Sequence, residues 1–297
     1  MACCRPLSPH DALPHPQRLQ FQPMILEPIT IAQLAMLGLL GGFMAGLLGV
    51  GGGMVLVPFI TWILTSRGVD SQLAVKMAIA TSMATIIFTS ISSVRAHHKH
   101  GKVRWDLVKG IAPGIMIGAL VVSIGVFALL KGAWLSIIFG VLVIFAGGQM
   151  FLDRKPKPTR QMPGPGGQVA AGGVIGFLSG LLGAGGGFLS VPFMAWHNVP
   201  IHNAVATSSA LGFPIAIFNV IGYIISGWNA PNLPAYSIGY VWLPALVCIA
   251  SCSVLMAPVG ARTAHALPVK TLKRVFALIL TGLAISMLVK GMQLLGG

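Results

Sequence analysis

FMAGLLGVGGGMVLVPF at residues 43–59 is answered by FLSGLLGAGGGFLSVPF at residues 177–193. Each copy sits inside an apolar stretch long enough to enter a bilayer, one in each half of the chain. Three glycines in a row break a helix. Helix breaks at matching places in two halves are the sequence mark of a membrane transporter whose binding site is built from discontinuous helices. The two segments therefore predict an internally duplicated membrane protein.

Composition agrees. The 297 residues are only 8% charged, with a mean hydropathy of +0.86, too little charge to cover a water-soluble surface of this size. No Asp, Glu, Lys or Arg occurs from Pro28 to Ser66, or again from Gln161 to Ala261. Both runs far exceed the ~20 apolar residues that span a hydrocarbon core. Nineteen basic residues against five acidic give a net charge of +14. The basic residues cluster in short loops between apolar segments, which is the positive-inside pattern rather than a nucleic-acid surface. Of the four cysteines, Cys248 and Cys252 share a helix face and read as small apolar residues. No metal site and no cofactor is expected.

The apolar segments run over 30–64, 72–95, 106–130, 133–152, 168–197, 203–227, 237–259 and 271–291. All are predicted helical, because backbone in lipid must satisfy itself. Residues 1–23 are polar and proline-rich and are expected to be a disordered tail, with Met24 a candidate start. Residues 153–167 (DRKPKPTRQMPGPGG) read as a linker between a repeat at 24–152 and a second at 168–297. The basic loops 95–104, 153–160 and 262–274 are expected to be cytoplasmic, and 228–236 external. Counting crossings back from 262–274 makes 168–197 begin and end on one side. The fold expected is all-α and polytopic. It has two inverted repeats, each a re-entrant hairpin broken at glycine plus three transmembrane helices. A single tilted crossing for each glycine segment is the alternative, and it places the basic 262–274 loop outside.

After the first glycine segment comes Ala74-Val75-Lys76-Met77-Ala78-Ile79-Ala80-Thr81-Ser82, and after the second His202-Asn203-Ala204-Val205-Ala206-Thr207-Ser208. The first half adds Ser92-Ser93-Val94-Arg95-Ala96-His97-His98-Lys99-His100-Gly101-Lys102-Val103, then Pro113-Gly114 and Gly118. From Met24 to the C-terminus this order resembles the TauE/SafE family of sulfite-exporter-like permeases. The doubled GxGGGxxxVPF followed by Ala-Thr-Ser carries the resemblance, while later segments match mainly in hydropathy. It implies a multi-pass protein of the bacterial inner membrane that moves a small anion such as sulfite or an organosulfonate, with export the expected direction. Phe213-Pro214, after the second Thr-Ser element, departs from the pattern.

Candidate binding residues follow from the chemistry of an anion at mid-depth. Gly49, Gly51, Gly52 and Gly53, with Gly183, Gly185, Gly186 and Gly187, expose N–H groups at helix starts, where the dipole is positive. Close helix packing through small residues is the structural alternative. Thr81, Ser82, Thr207, Ser208 and Ser209 offer hydroxyl donors, or bond back to their own helices. Asn219 lines the path or joins helices. Lys76, Arg95 and His97 are expected at a vestibule that draws anions in. Pro58 and Pro192 are expected to bend or end the returning helices. The acids Asp11, Glu27, Asp70, Asp106 and Asp153 all lie near segment ends or in tails, so a cation would lack a counter-charge. His197 and His202 are the titratable groups near the second hairpin. The expected partners are the anion and the bilayer, with a homo-oligomer compatible. An intramembrane serine enzyme built on Ser179 in Gly176-Phe177-Leu178-Ser179-Gly180, and a non-transporting scaffold, are the competing functions.

Overall fold

The computed structural model describes residues 27–49, 51–152, 161–266 and 270–296. The expectations for 1–23 and 153–160 lie outside the described residues. The first half contains α1 (Pro28–Leu48), α2 (Gly53–Ser66) and α3 (Ser71–Lys99), followed by α4 (Trp105–Leu129) and α5 (Gly132–Leu152). The second contains α6 (Pro165–Leu182), α7 (Gly187–Trp196), α8 (Ile201–Gly227), α9 (Leu243–Ala266) and α10 (Lys270–Gly296). Eight of these helices are long and apolar enough to cross a membrane; α2 and α7 are shorter. The protein is an all-α, multi-pass membrane protein, with one addition the sequence did not signal. A two-stranded ribbon, β1 (Ser237–Ile238) and β2 (Val241–Trp242), pairs Ser237 with Trp242 just before α9.

Local signals set the helix ends. Pro28 and Pro165 open α1 and α6 at the first turn, where a missing N–H costs nothing. Asp70 caps α3, its carboxylate accepting from the Leu73 N–H at 3.0 Å. Inside α4, residues Val121–Val126 form a π-helical turn. Pro58 and Pro192 sit within α2 and α7 and do not end them.

The first glycine segment bends back on itself. A Cβ placed on Gly52 would lie 2.3 Å from the Gly41 carbonyl oxygen, two turns earlier on α1. At the far end of α2, Arg67 Nη2 donates to Thr30 Oγ1 in the first turn of α1, at 2.5 Å. Lys290 of α10 reaches the same end and donates to Thr65 Oγ1 at 2.7 Å. The arms are unequal: α1 has 21 residues, about 31 Å at 1.5 Å per residue, and α2 has 14.

The halves interleave. α1 packs along α9, and its counterpart α6 packs along α4; α3 meets α8, and α5 meets α10. Glycine permits the closest of these approaches. A Cβ on Gly42 would lie 2.4 Å from Ser253 O, and one on Gly46 1.9 Å from Ala257 O. In the second half a Cβ on Gly172 would meet Ile111 O at 2.2 Å, and one on Gly176 would meet Ile115 O at 2.4 Å. Small residues at every fourth position let two backbones touch. That packing role, weighed for the glycine runs, extends to the glycines one to three turns before them. Cys248 and Cys252 are free thiols on α9, half-buried.

Candidate functional site: two helix breaks that meet

Each break is bounded by glycines in the left-handed region. α1 stops at Gly49 (φ 68) and α2 starts after Gly52 (φ 72); α6 stops at Gly183 (φ 64) and α7 starts after Gly186 (φ 75). An L side chain there costs roughly 1–2 kcal/mol. The breaks touch. A Cβ on Gly51 would lie 3.0 Å from the N and Cα of Gly185, and one on Gly53 would lie 2.0 Å from the Gly183 carbonyl oxygen. Gly51, Gly53, Gly183 and Gly185 are thus brought to one point. Gly49 lies beside Val205 and Ser209, Gly52 against Gly41, Gly186 beside Ser179 and Ile215, and Gly187 is buried at the start of α7.

The Thr-Ser elements hold the breaks crosswise. Ser82 Oγ donates to Gly183 O at 3.0 Å, and Ser208 Oγ donates to Gly49 O at 2.9 Å. Each half therefore caps the broken helix of the other. Thr81 Oγ1 accepts from the Trp242 N–H and Thr207 Oγ1 from the Arg104 N–H, both at 3.0 Å. All four side chains are fully buried. Ser82 and Ser208 spend their protons on carbonyls that have lost helical partners; Thr81 and Thr207 act as acceptors and keep their own protons to give.

A narrow cavity with room for about one water molecule opens beside the meeting point. Gly49, Gly51 and Gly185 line it with Ser90, Ser93 and Ser209. Ser93 Oγ donates to Ser209 Oγ at 3.2 Å, Ser209 to Val205 O at 3.1 Å, and Ser90 to Ile87 O at 3.1 Å. Ser90 and Ser93 escaped the sequence reading as site residues. The available signal was their helical spacing, since Ile86, Ser90, Ser93 and His97 fall on one face of α3.

The remaining candidates lie apart from the cavity. Lys76 Nζ donates to Ala128 O at the end of α4, at 3.1 Å, and stands 5.6 Å from the Tyr240 ring centroid. Arg95 is exposed. His97 is in the last turn of α3, fully buried, with Nε2 3.0 Å from Gly46 O. Asn219 Nδ2 donates to Ile215 O at 2.8 Å, while its Oδ1 faces Gly180 without a hydrogen-bond partner. Ser179 Oγ, beside Gly186, is buried and equally unpartnered. Among the described residues no His, Cys, Asp and Glu cluster could hold a metal ion. The one ion pair among them joins Arg104 and Asp106, both exposed, at the start of α4.

Comparison with known proteins agrees with this architecture. The family model described as "Sulfite exporter TauE/SafE" matches residues 34–287. A "Probable membrane transporter protein" of Haemophilus influenzae is 37% identical over 86% of this chain and 97% of its own length. One of the same description from Methanocaldococcus jannaschii is 26% identical over 91% of this chain and 98% of its own. The "Probable membrane transporter protein YunE" of Bacillus subtilis is 32% identical over 65% and 78%. No solved structure matches. With eight spans, doubled helix breaks and a family match over most of its length, the chain belongs to the sulfite exporter TauE/SafE family of membrane transporters.

Proposed function

We propose that the protein is a secondary transporter of the bacterial inner membrane. It moves a small oxyanion such as sulfite or an organosulfonate, outward, through a site where the two glycine breaks meet. The observation that supports this most directly is the contact of Gly51 with Gly185 beside a serine-lined cavity. The starts of α2 and α7 carry N–H groups that their own helices leave unpaired, with the positive dipole end behind them. Ser90, Ser93 and Ser209 line the site and turn their hydroxyls from Ile87 O, Ser209 Oγ and Val205 O toward the guest. None of the ten helices carries a carboxylate deeper than its first turn, which suits a negative guest.

The two halves act as inverted repeats, with 95–104, 153–160 and 262–274 cytoplasmic, and rock about the shared site to expose it alternately. The exposed Arg95 enriches anions at the cytoplasmic mouth. Tracer flux of sulfite, sulfate and methanesulfonate into proteoliposomes tests the reading. Substitution of Gly52 or Gly186 by leucine should abolish flux while membrane insertion persists. Absence of flux for every small anion with folded protein, or normal flux in both variants, would overturn it.

A further inference from the structure

The second break is short of hydrogens. Carried along α3 and α8, the match of Ala78–Ser82 with Ala204–Ser208 sets Ser93 against Asn219 and His97 against Tyr223. The match of the glycine segments sets Ala45 against Ser179 and Gly46 against Gly180. Where the first break has a serine and an alanine, the second has an amide and a hydroxyl.

That second pair is buried and unsatisfied. Ser179 and Asn219 are both 0% exposed, and neither Ser179 Oγ nor Asn219 Oδ1 has a hydrogen-bond partner. A carbonyl only accepts, so the amide nitrogen of Asn219 must be the atom that meets Ile215 O. Oδ1 is thereby left toward Gly180, where a Cβ would lie 2.2 Å from it. Ser179, the residue before Gly180, turns its Oγ to the start of α7, 2.9 Å from where Gly186 would carry a Cβ. Ile215, one turn before Asn219, reaches that same position with Cδ1 at 2.5 Å. The two oxygens flank the last turn of α6 where it meets α7 and α8.

The hydroxyls nearby have no hydrogen to spare. Tyr223 donates to Gly180 O, and Ser123 Oγ donates to Ala119 O at 2.6 Å. Ser123 belongs to the π-helical turn of α4, which packs on this same place. A Cβ on Gly180 would lie 2.4 Å from Val122 Cγ1, and one on Gly222 would lie 1.9 Å from Ser123 Oγ. Such turns recur at functional sites. A buried acceptor without a donor calls for a partner. An anion is repelled by Asn219 Oδ1; a cation is attracted.

We propose that the second break binds a sodium ion, held by Ser179 Oγ and Asn219 Oδ1, and that this ion travels with the anion bound at the first break. This rests on the anion-transport reading above. The ligands are neutral oxygens, which suits a monovalent cation, whereas calcium and magnesium are held through carboxylates. The last turn of α6 is a negative dipole end, and the ends of broken helices are where transporters coordinate sodium. No carboxylate occurs in α6, α7 or α8, and that of α4 is Asp106 in its first turn, paired with Arg104. The counter-charge must come from the other break. Gly185 borders the cavity of the first break, and Gly186, next in the chain, faces Ser179. Each ion neutralises the other across this short stretch of backbone, so binding of one favours the other.

Two readouts test this, with sodium and with sulfite, sulfate and methanesulfonate as probes. In proteoliposomes an inward sodium gradient should speed tracer uptake of the transported anion about tenfold over choline, within the 5–150-fold range of ordinary site coupling. Potassium should not replace sodium. In detergent, sodium should raise the melting temperature above that in choline at equal ionic strength, and further when the anion is present. Ser179→Ala and Asn219→Ser, each copied from the other half, should lose both effects. Ser179→Ala removes a hydroxyl without a partner, so in choline it should melt no lower than the parent; a merely structural role would lower it there and leave the sodium response. Sodium effects that survive Ser179→Ala overturn the assignment, whether or not Asn219→Ser folds. A parent indifferent to sodium in both readouts overturns it too and leaves a buried water as the occupant, while its anion flux still upholds the transport reading. Sodium that stabilises without speeding uptake overturns the cotransport. A parent that moves none of the three anions overturns the transport reading and the coupling with it, and a sodium-specific melting shift would then support the cation site alone.

Discussion

In the first half an imidazole holds the Gly46 carbonyl, and the helix tip at Gly49 borders a serine-lined cavity. In the second half a phenol holds Gly180, and the tip at Gly183 is packed against Ile79 and Val57. Ala45 in one half stands where Ser179 does in the other, and Ser93 where Asn219 does. The backbone scheme is common to both: left-handed glycines, crossed serine caps, and a threonine that accepts from the residue ahead of the next helix. What differs is the side chains around each break. The two halves share a frame, and the side chains around it leave the cavity beside Gly49 and not beside Gly183.

The comparison can be broken most forcefully at the glycines that start the return helices. An alanine at Gly52 meets a positive φ and the backbone of Gly41. The expected cost is about 1–2 kcal/mol for the dihedral plus about 1–3 kcal/mol for overpacking. An alanine at Gly186 meets the same φ, but its contacts are the Ile215 methyl and the Ser179 hydroxyl, which can rotate aside. Gly52→Ala should therefore lower thermal stability in detergent more than Gly186→Ala. Equal losses would mean the frames are not distinguished by what lines them.

Next in size are the crossed caps. Removing either serine hydroxyl orphans a buried carbonyl, a loss of about 1–3 kcal/mol. Ser208 also accepts from Ser190 at 2.8 Å, so Ser208→Ala strands a second group and should cost more than Ser82→Ala in the same melting assay. The reverse order would show that the second tip, not the first, depends on its cap. Tyr223→Phe bares the buried Gly180 carbonyl and should likewise cost about 1–3 kcal/mol in the same assay. An unchanged melting temperature would mean that the second tip does not depend on the phenol. Smallest of all, Arg95→Gln and Lys99→Gln should slow uptake about two- to threefold at low salt and less at high salt, as screened surface charges do. A change of anion preference instead would place that rim inside the pathway.

The spans and the breaks were legible because lipid leaves the backbone few options, so hydropathy and glycine runs carry most of the information. Which helix faces which was not. Gly38, Gly42 and Gly46 announce a close contact by their spacing, but nothing in the chain names α9 as the partner. The hydroxyls were ambiguous for a related reason. Ser82 and Ser208 read as donors to a bound anion or to helix carbonyls, and the carbonyls they cap, bared by a distant break, appear only in three dimensions. His97 was misplaced by a single turn. Ending the third segment at 95 put it in a basic loop, whereas α3 continues to Lys99 and turns it inward. Helix ends are the least certain part of any periodic pattern, and here one turn separates an exposed rim from a buried contact.

The crossed serine caps carry a consequence for how the chain is made. Gly49 emerges from the ribosome some 160 residues before the hydroxyl that will cover its carbonyl, as the 159-residue separation of that bond records. The first five helices must therefore wait in the bilayer with an uncovered end, relying on lipid, water or an insertion factor until α8 arrives. Synthesis stalled between residues 152 and 201 should leave a species that proteases and membrane quality control treat as unfinished.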